Sequence, residues 1–169
     1  VNSIAVVSTL LALEYSAEEI EPVMPRLRPV RGRMELVEHR KEGPKMIVDF
    51  AHTDDALRSV LGAVRELCHG RVITVFGCGG NRDAAKRPLM GAVADRLSDL
   101  VVVTSDNPRS EDPDAIIAEI RLGIEAPADS SQPTHVGIAD RADAIGHAVD
   151  QAEPGDAVVI SGKGHETHQ

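Results

Sequence analysis

The sequence is poor in aromatic residues and cysteines and contains no tryptophan. Among 169 residues there are one tyrosine, two phenylalanines and two cysteines. So few rings leave little on which single-stranded bases could stack. The 27 acidic residues outnumber the 18 basic ones and give a net charge of −9, which disfavours a polyanionic partner. We therefore expect no nucleic-acid partner.

The two cysteines, Cys68 and Cys78, have neither the number for a disulfide framework nor a metal-ligand spacing. We interpret them as reduced thiols in a cytoplasmic protein and predict no metal site. The longest uncharged apolar stretch, 3–13, is too short to span a bilayer and follows no cationic segment. It predicts a core helix and no membrane partner. Because the chain begins at Val1 and stops at Gln169 directly after a motif-like run, we expect a piece of a longer protein, truncated at its C-terminal end.

Residues 1–25 predict two helices. Ser16 and Glu19 form a capping box for the second helix, whose apolar face continues through Met24. Prolines at positions 22, 25 and 29 then interrupt the helical pattern. We place a domain boundary at 26–33.

Short β-branched runs alternate with amphipathic helices in the rest of the chain. The predicted strands are 34–40, 45–50, 72–76, 100–104, 134–138 and 157–161. Helices are predicted after the N-caps Thr53, Asp112 and Asp140, and another helix is predicted to begin at Pro88. This alternation predicts a Rossmann-like three-layer α/β domain, whose mostly parallel, about six-stranded sheet is covered on both faces.

Polar or glycine-rich clusters follow four of the predicted strands, at 49–55, 77–88, 106–109 and 162–166. Ligands of such folds bind beyond the carboxyl ends of the strands. No cluster matches a standard phosphate-binding motif, since Arg82 stands where G-x-G-x-x-G needs its third glycine and no Walker A run is present. Taken singly, each cluster is explained by an ordinary turn.

Taken together, the clusters are expected to converge on one rim and to form a pocket for a zwitterion. Arg82 and Arg109 offer planar forks for a carboxylate or phosphate, Glu166 offers an acceptor for an ammonium, and Asn107 both donates and accepts. Arg82, Lys86, Arg87 and Arg109 form a local cationic group in an acidic chain. A polar amino acid with charges at its far end is the first ligand to test. The alternative is a solvated network in which these groups pair with one another.

Five runs, in this order and at compatible spacing, resemble the C-terminal domain of the bacterial Mur ligases. They are Gly32-Arg33-Met34-Glu35, Val48-Asp49-Phe50-Ala51-His52-Thr53, 77–89, Thr104-Ser105-Asp106-Asn107-Pro108-Arg109 and Gly162-Lys163-Gly164-His165-Glu166. The resemblance covers essentially the whole chain and narrows to the branch that adds meso-diaminopimelate to UDP-N-acetylmuramoyl-L-alanyl-D-glutamate. It implies an ATP- and Mg²⁺-dependent peptide ligase of peptidoglycan precursor synthesis. Residues 1–30 then resemble the last helices of the central ATPase domain, and residues 31–169 the amino-acid-binding domain.

The same resemblance implies roles for individual residues. The contacts with meso-diaminopimelate would be Arg82, Asp106, Asn107, Pro108, Arg109, Gly162 and Glu166, and the residues that reach the nucleotide would be Arg33, Asp49 and His52. Arg109 suits a ligand whose distal end carries a carboxylate, since lysine ends in a bare ammonium that an arginine repels. Phe50 and Asp54 depart from the Tyr and Pro usual in the family. ATP, Mg²⁺ and the UDP-sugar dipeptide would bind mainly on domains absent from this chain, so the chain alone is expected to be inactive.

Three other functions compete with this interpretation. A dinucleotide-dependent oxidoreductase would share the fold class but lacks its glycine motif. A non-enzymatic amino-acid-binding module would share every pocket residue, and only a P-loop upstream of Val1 would separate it from a ligase. The folate ligases that add poly-glutamate share the fold, but the runs at 106–109 and 162–166 speak against them.

Overall fold

The computed structural model describes residues 2–27, 30–37, 43–125, 135–166 and 168. Within these ranges the strands are β1 (Glu35–Val37), β2 (Lys45–Asp49), β3 (Val72–Phe76), β4 (Leu100–Thr104), β5 (His135–Ile138) and β6 (Ala157–Ser161). The α-helices are α1 (Asn2–Ala12), α2 (Ala17–Ile20), α3 (Asp54–Leu67), α4 (Lys86–Leu97), α5 (Pro113–Arg121) and α6 (Arg141–Gln151), and a 3₁₀ helix spans Glu21–Arg26. The predicted residues 38–40 and 134 lie outside the described part of the chain.

The strands form one sheet in the order β1-β2-β6-β3-β4-β5. Only the short β1 is antiparallel to its neighbour, and all other pairs are parallel. The last strand, β6, lies between β2 and β3, so that Val158 pairs with both Met46 and Ile73. The predicted α/β class and the mostly parallel, six-stranded sheet are confirmed.

Helices cover both faces of the sheet. One core cluster joins the sheet to α3, α4 and α5 and contains Phe76, Leu61 and Ile120. The other cluster joins the opposite face to α6 through Val75 and Ala148. The central strands are therefore buried on both sides, which explains their nearly continuous apolar runs.

The predicted N-caps are confirmed as hydrogen-bond acceptors. Thr53 accepts from Ala56 N, Asp112 from Asp114 N, and Asp140 from Ala142 N and Asp143 N. The Ser16–Glu19 capping box has both of its reciprocal bonds. These caps fix where four helices begin, and three of those helices follow directly from a loop on the carboxyl side of the sheet.

The start of α4 differs from the prediction. The helix begins at Lys86, so Pro88 is its third residue rather than its first. A proline is tolerated there because the N–H groups of the first turn have no acceptor within the helix. The two additional residues bring Lys86 into the first turn of α4, beside the loop that forms part of the cleft described below.

The N-terminal segment differs more. The second helix is α-helical only to Ile20 and continues as the 3₁₀ helix, which contains Pro22 and Pro25. The prediction of a core helix over 3–13 is wrong for the described residues, since none of the side chains of 4–12 is buried and Ile4 is 70% exposed. The apolar stretch predicts the helix correctly, but the burial of its side chains depends on which other residues pack against the helix. None of the described helices is long and apolar enough to cross a membrane.

Candidate functional site

A cleft of about 200 Å³ lies beyond the carboxyl ends of the parallel strands. Its lining residues are Phe50, His52, Gly79, Arg82, Lys86, Asp106, Asn107, Arg109, Gly162 and Glu166. They follow β2, β3, β4 and β6, whose carboxyl ends meet at one edge of the sheet. Of the seven residues predicted to contact an amino acid, six line this cleft, and Pro108 alone is outside the lining.

Two loops, 77–85 and 105–112, form one wall of the cleft and pack tightly on each other. Gly80 N donates to Asn107 O at 3.1 Å, and a Cβ built on Gly80 would overlap the carbonyl oxygen of Pro108. A Cβ on Gly77 would likewise overlap the carbonyl oxygen of Thr104. The glycines thus allow a close approach between two loops, which an ordinary strand-to-helix turn does not require. Pro108 contributes by supporting this contact.

Arg109 is held by the facing loop. Its Nη1 donates to Gly80 O at 2.7 Å and to Asn107 O at 3.3 Å, which leaves Nε and Nη2 for a ligand. Its φ of 56° and that of Asn107, 45°, are left-handed. Asparagine adopts this conformation readily, whereas for arginine it costs about 1–2 kcal/mol. Strain of this kind persists where the surroundings hold a side chain for a task.

The ammonium group of Lys163 lies close to three oxygen atoms of residues that line the cleft. Its Nζ lies 3.1 Å from Asn107 Oδ1, 3.5 Å from Asp106 Oδ1 and 3.9 Å from Glu166 Oε2. The Lys163 side chain is only 12% exposed, so these contacts replace most of its hydration. The sequence places this residue in the run 162–166 but does not predict a role for its side chain. A lysine between two glycines directly after a buried strand was the available signal.

Arg141 lies buried beneath the same edge of the sheet. Its guanidinium donates to Ser105 O at 3.3 Å and to Ser161 O at 2.9 Å, which ties the ends of β4 and β6 together. Burial lowers the pKa of Arg141, and the charges of Asp106 and Glu166 oppose that shift. Arg141 is not among the site residues predicted from the sequence. Its signal was a cation in the first turn of a helix, where the macrodipole disfavours positive charge.

Arg87 does not belong to the cationic group predicted at the cleft. Its side chain is 1% exposed and pairs with Glu111 and Glu119, each at 2.9 Å. Glu111 also accepts from Asn81 N, so the ion pair connects α4 to both loops of the cleft wall. Two carboxylates within hydrogen-bond distance neutralise the charge of Arg87, so Arg87 adds no cation to the cleft.

The residues predicted to reach a nucleotide group around Phe50, which together with His52 also lines the cleft. The Arg33 guanidinium lies 4.4 Å above the Phe50 ring, and the His52 ring packs edge-on against Phe50 at 4.8 Å. Asp49 is buried, and its two oxygens accept from Met34 N and Ala51 N at 2.7 Å each. Asp49 therefore anchors the backbone around Phe50, while Arg33 and His52 flank the ring.

No group of three or more His, Cys, Asp and Glu side chains that could hold a metal ion occurs in the described parts of the chain. Burial raises the pKa of the Cys78 thiol to about 11, so this cysteine is protonated and unreactive near neutral pH. Cys68 and Cys78 are both free thiols.

The domain has a mostly parallel sheet between two layers of helices, and charged side chains line a cleft beyond the strand ends. These features define a Rossmann-like ligand-binding domain. The family described as "Mur ligase, glutamate ligase domain" matches residues 32–164. This range covers most of the chain and includes every residue of the cleft wall. The chain belongs to this family.

Two known ligases are similar in sequence to almost the whole chain. A UDP-N-acetylmuramoyl-L-alanyl-D-glutamate–2,6-diaminopimelate ligase of Ectopseudomonas mendocina (strain ymp) is 49% identical over 168 residues, which is 99% of this chain and 33% of that protein. A solved structure described by the same enzyme name is 39% identical, with a TM-score of 0.73 over 98% of this chain and 33% of that one. The chain spans about a third of the length of the relatives that it matches.

A folylpolyglutamate synthase/dihydrofolate synthase of Yersinia pestis, solved with AMPPNP and a Mn ion, shares the fold. Its TM-score is 0.59 at 22% identity, over 81% of this chain and 29% of that one. This likeness concerns the fold alone.

Proposed function

We propose that this chain is the amino-acid-binding domain of an ATP-dependent ligase that adds meso-diaminopimelate to UDP-N-acetylmuramoyl-L-alanyl-D-glutamate. The observation that carries the proposal is a single cleft that combines the cations Arg82, Lys86 and Arg109 with the carboxylates Asp106 and Glu166. Meso-diaminopimelate carries two carboxylates and two ammonium groups. A cleft with both signs of charge suits it better than it suits a plain anion.

Arg109 is the residue to which we assign the choice of ligand. With Nη1 tethered to Gly80 O, the remaining guanidinium nitrogens present a fork to a carboxylate at the distal end of the ligand. Glu166 accepts an ammonium, and Arg82 pairs with a second carboxylate. The role of these residues in the ligation is to hold the attacking amine in place, because a positioned amine reacts far faster than a free one.

We propose that the activation chemistry lies outside this chain. The described residues contain no carboxylate cluster suited to Mg²⁺, and both oxygens of Asp49 already accept backbone N–H groups. ATP, Mg²⁺ and the UDP-sugar dipeptide are assigned mainly to the rest of a longer protein, toward whose nucleotide Arg33 and His52 reach. When bound there, ATP and Mg²⁺ would activate the carboxylate of the dipeptide for attack by the amine. We expect the isolated chain to have no ligase activity.

The domain boundary is part of the proposal. Residues 1–30 are assigned to the preceding domain and residues 31–169 to the amino-acid-binding domain. Two observations support this: the family match begins at position 32, and the apolar side chains of α1 are exposed in the described chain.

The test is a comparison of ligands by NMR titration, which measures millimolar dissociation constants. The chain is expected to bind meso-diaminopimelate at least tenfold more tightly than L-lysine or L-glutamate, a ratio worth about 1.4 kcal/mol. Arg109→Ala is expected to remove the preference over lysine by weakening only the binding of meso-diaminopimelate. The exposed Arg58 of α3, changed to alanine, is the matched control. Equal affinity of the unchanged chain for meso-diaminopimelate and lysine would contradict the proposal, and tighter binding of glutamate would favour a folate-type ligase.

A further inference from the structure

Lys163 is the one lysine among the described residues that contacts three acceptors of the cleft. It lies two residues past the end of β6, directly after Gly162. Its Nζ donates to His168 O at 2.7 Å in addition to the contacts with Asp106, Asn107 and Glu166. A nearly buried ammonium with this many acceptors is held in one place, so it constrains each of its partners.

The first constraint concerns the side-chain amide of Asn107. A lysine ammonium only donates, so the amide atom that it contacts at 3.1 Å must be the oxygen. The nitrogen of the same amide is then turned the other way, 3.4 Å from Glu166 Oε2. One of its two hydrogens is directed at that carboxylate and the other stays available in the cleft. Lys163 thereby makes Asn107 a donor toward the ligand, suited to a carboxylate and unsuited to an ammonium.

The second constraint concerns charge. Asp106 and Glu166 each bring one negative charge, and Lys163 cancels one of them. The charge of Arg141 also acts on both carboxylates, so the loss of Lys163 would leave them only partly compensated. The surroundings of Asp106 and Glu166 would become one charge more negative, which favours a ligand ammonium at this place over a carboxylate.

We propose that Lys163 is a positioning residue that sets the ligand preference of the cleft. It acts through Asn107 and Glu166 and need not touch the ligand itself. The inference rests on the proposed function for the identity of the two test ligands. The competing explanation is that Lys163 only stabilises the turn at 162–166, whose backbone bond from Glu166 N to Lys163 O needs no side chain.

The test replaces Lys163 by methionine and compares it with Lys163→Arg and with Lys45→Met. Lys45 is exposed at the start of β2, the opposite edge of the sheet, and is the matched control. Lys163→Met is expected to reduce the ratio of meso-diaminopimelate affinity to L-lysine affinity about tenfold. Lys163→Arg, which keeps the positive charge, is expected to retain part of this ratio. Lys45→Met is expected to leave the ratio unchanged. If both affinities fall by the same factor, Lys163 supports only the turn and the inference is overturned.

A second readout needs no ligand. In the ¹⁵N-labelled chain, the side-chain amide protons of Asn107 are expected to show nuclear Overhauser contacts to the Glu166 side chain, and Lys163→Met is expected to weaken them. Contacts that persist unchanged in the variant would overturn the positioning role. The experiment separates this inference from the proposed function. If the proposed function is wrong, the chain without substitutions binds meso-diaminopimelate and L-lysine equally. If only this inference is wrong, that chain prefers meso-diaminopimelate and Lys163→Met keeps the preference.

Discussion

Gly80 is the residue at which the two loops of the cleft wall touch. Its carbonyl oxygen accepts from Arg109 Nη1, its N–H donates to Asn107 O, and its α-carbon faces the carbonyl of Pro108. Three features of the proposed ligand site therefore depend on a position without a side chain. A glycine in a strand-to-helix loop is common, and only the structure shows which atom it meets.

Gly80→Ala is expected to force the two loops apart, since no space exists for a methyl group. We expect a loss of about 1–3 kcal/mol in the free energy of unfolding and about tenfold weaker binding of meso-diaminopimelate. Urea denaturation and NMR titration measure the two effects.

The control is Gly62→Ala in α3, where a Cβ would meet nothing within 4 Å. This change is expected to leave binding intact and to stabilise the helix by up to about 1 kcal/mol. If Gly80→Ala binds meso-diaminopimelate as tightly as the unchanged chain, the close contact with Pro108 is not needed for the shape of the cleft.

The helix α4 is joined to the cleft wall through Arg87. The pairs with Glu111 and Glu119 connect the first turn of α4 to the loop at 105–112 and to α5. Glu111 extends the connection to the backbone of Asn81, and this hydrogen bond together with Arg87 holds the pKa of Glu111 below its ordinary value. The two ion pairs and this hydrogen bond thus join α4, α5 and both loops of the cleft wall.

Arg87→Met is expected to lower the free energy of unfolding, because it removes the ion pairs that join α4 to α5 and to the loop of Glu111. Arg96→Met, at an exposed position near the end of the same helix, is the control and is expected to change stability by less than about 0.5 kcal/mol. Chemical denaturation of both variants measures the difference. A similar small effect in both would mean that water compensates the carboxylates of Glu111 and Glu119.

The elements themselves were largely predictable from the sequence, and the reasons are local. A capping side chain such as Asp140 and a run such as 72–76 carry their signal in neighbouring residues. Arg87 and the apolar helix α1 were misjudged because burial depends on residues far away in the sequence. The strand-end rule located the cleft and the run that contains Lys163. It could not show which acceptors Lys163 contacts, or that Arg141 ties the ends of β4 and β6 together.

The stability of the whole domain is expected to depend on pH through buried acidic groups such as Asp156. Asp156, at the sheet edge opposite the cleft, accepts from Glu153 N and Arg71 N and pairs with the Arg71 guanidinium at 2.9 Å. Burial alone would raise the pKa of Asp156, but these hydrogen bonds outweigh it and hold the pKa below the ordinary 3.8. A group whose pKa is lower in the folded state stabilises it above that ordinary value, and the contribution is lost as the pH falls through the folded value.

We therefore expect stability to decline steeply below about pH 4 and Asp156→Asn to flatten that decline. The variant is also expected to be less stable at pH 7. Thermal unfolding measured from pH 7 to pH 2.5 tests both, with exposed Asp150→Asn as the control whose curve should parallel that of the unchanged chain. A decline in Asp156→Asn as steep as in the unchanged chain would place the acid sensitivity elsewhere.

The position of β6 has a consequence for synthesis on the ribosome. This strand is made last among the six, yet it alone joins β2 to β3. Until it emerges, the growing chain holds two separate partial sheets whose facing edges stay unpaired and prone to association. Gly162, Lys163 and Glu166 follow β6 directly, so the step that closes the sheet also completes the cleft. A chain interrupted before position 157 would therefore lose the integrity of the sheet together with its ligand site.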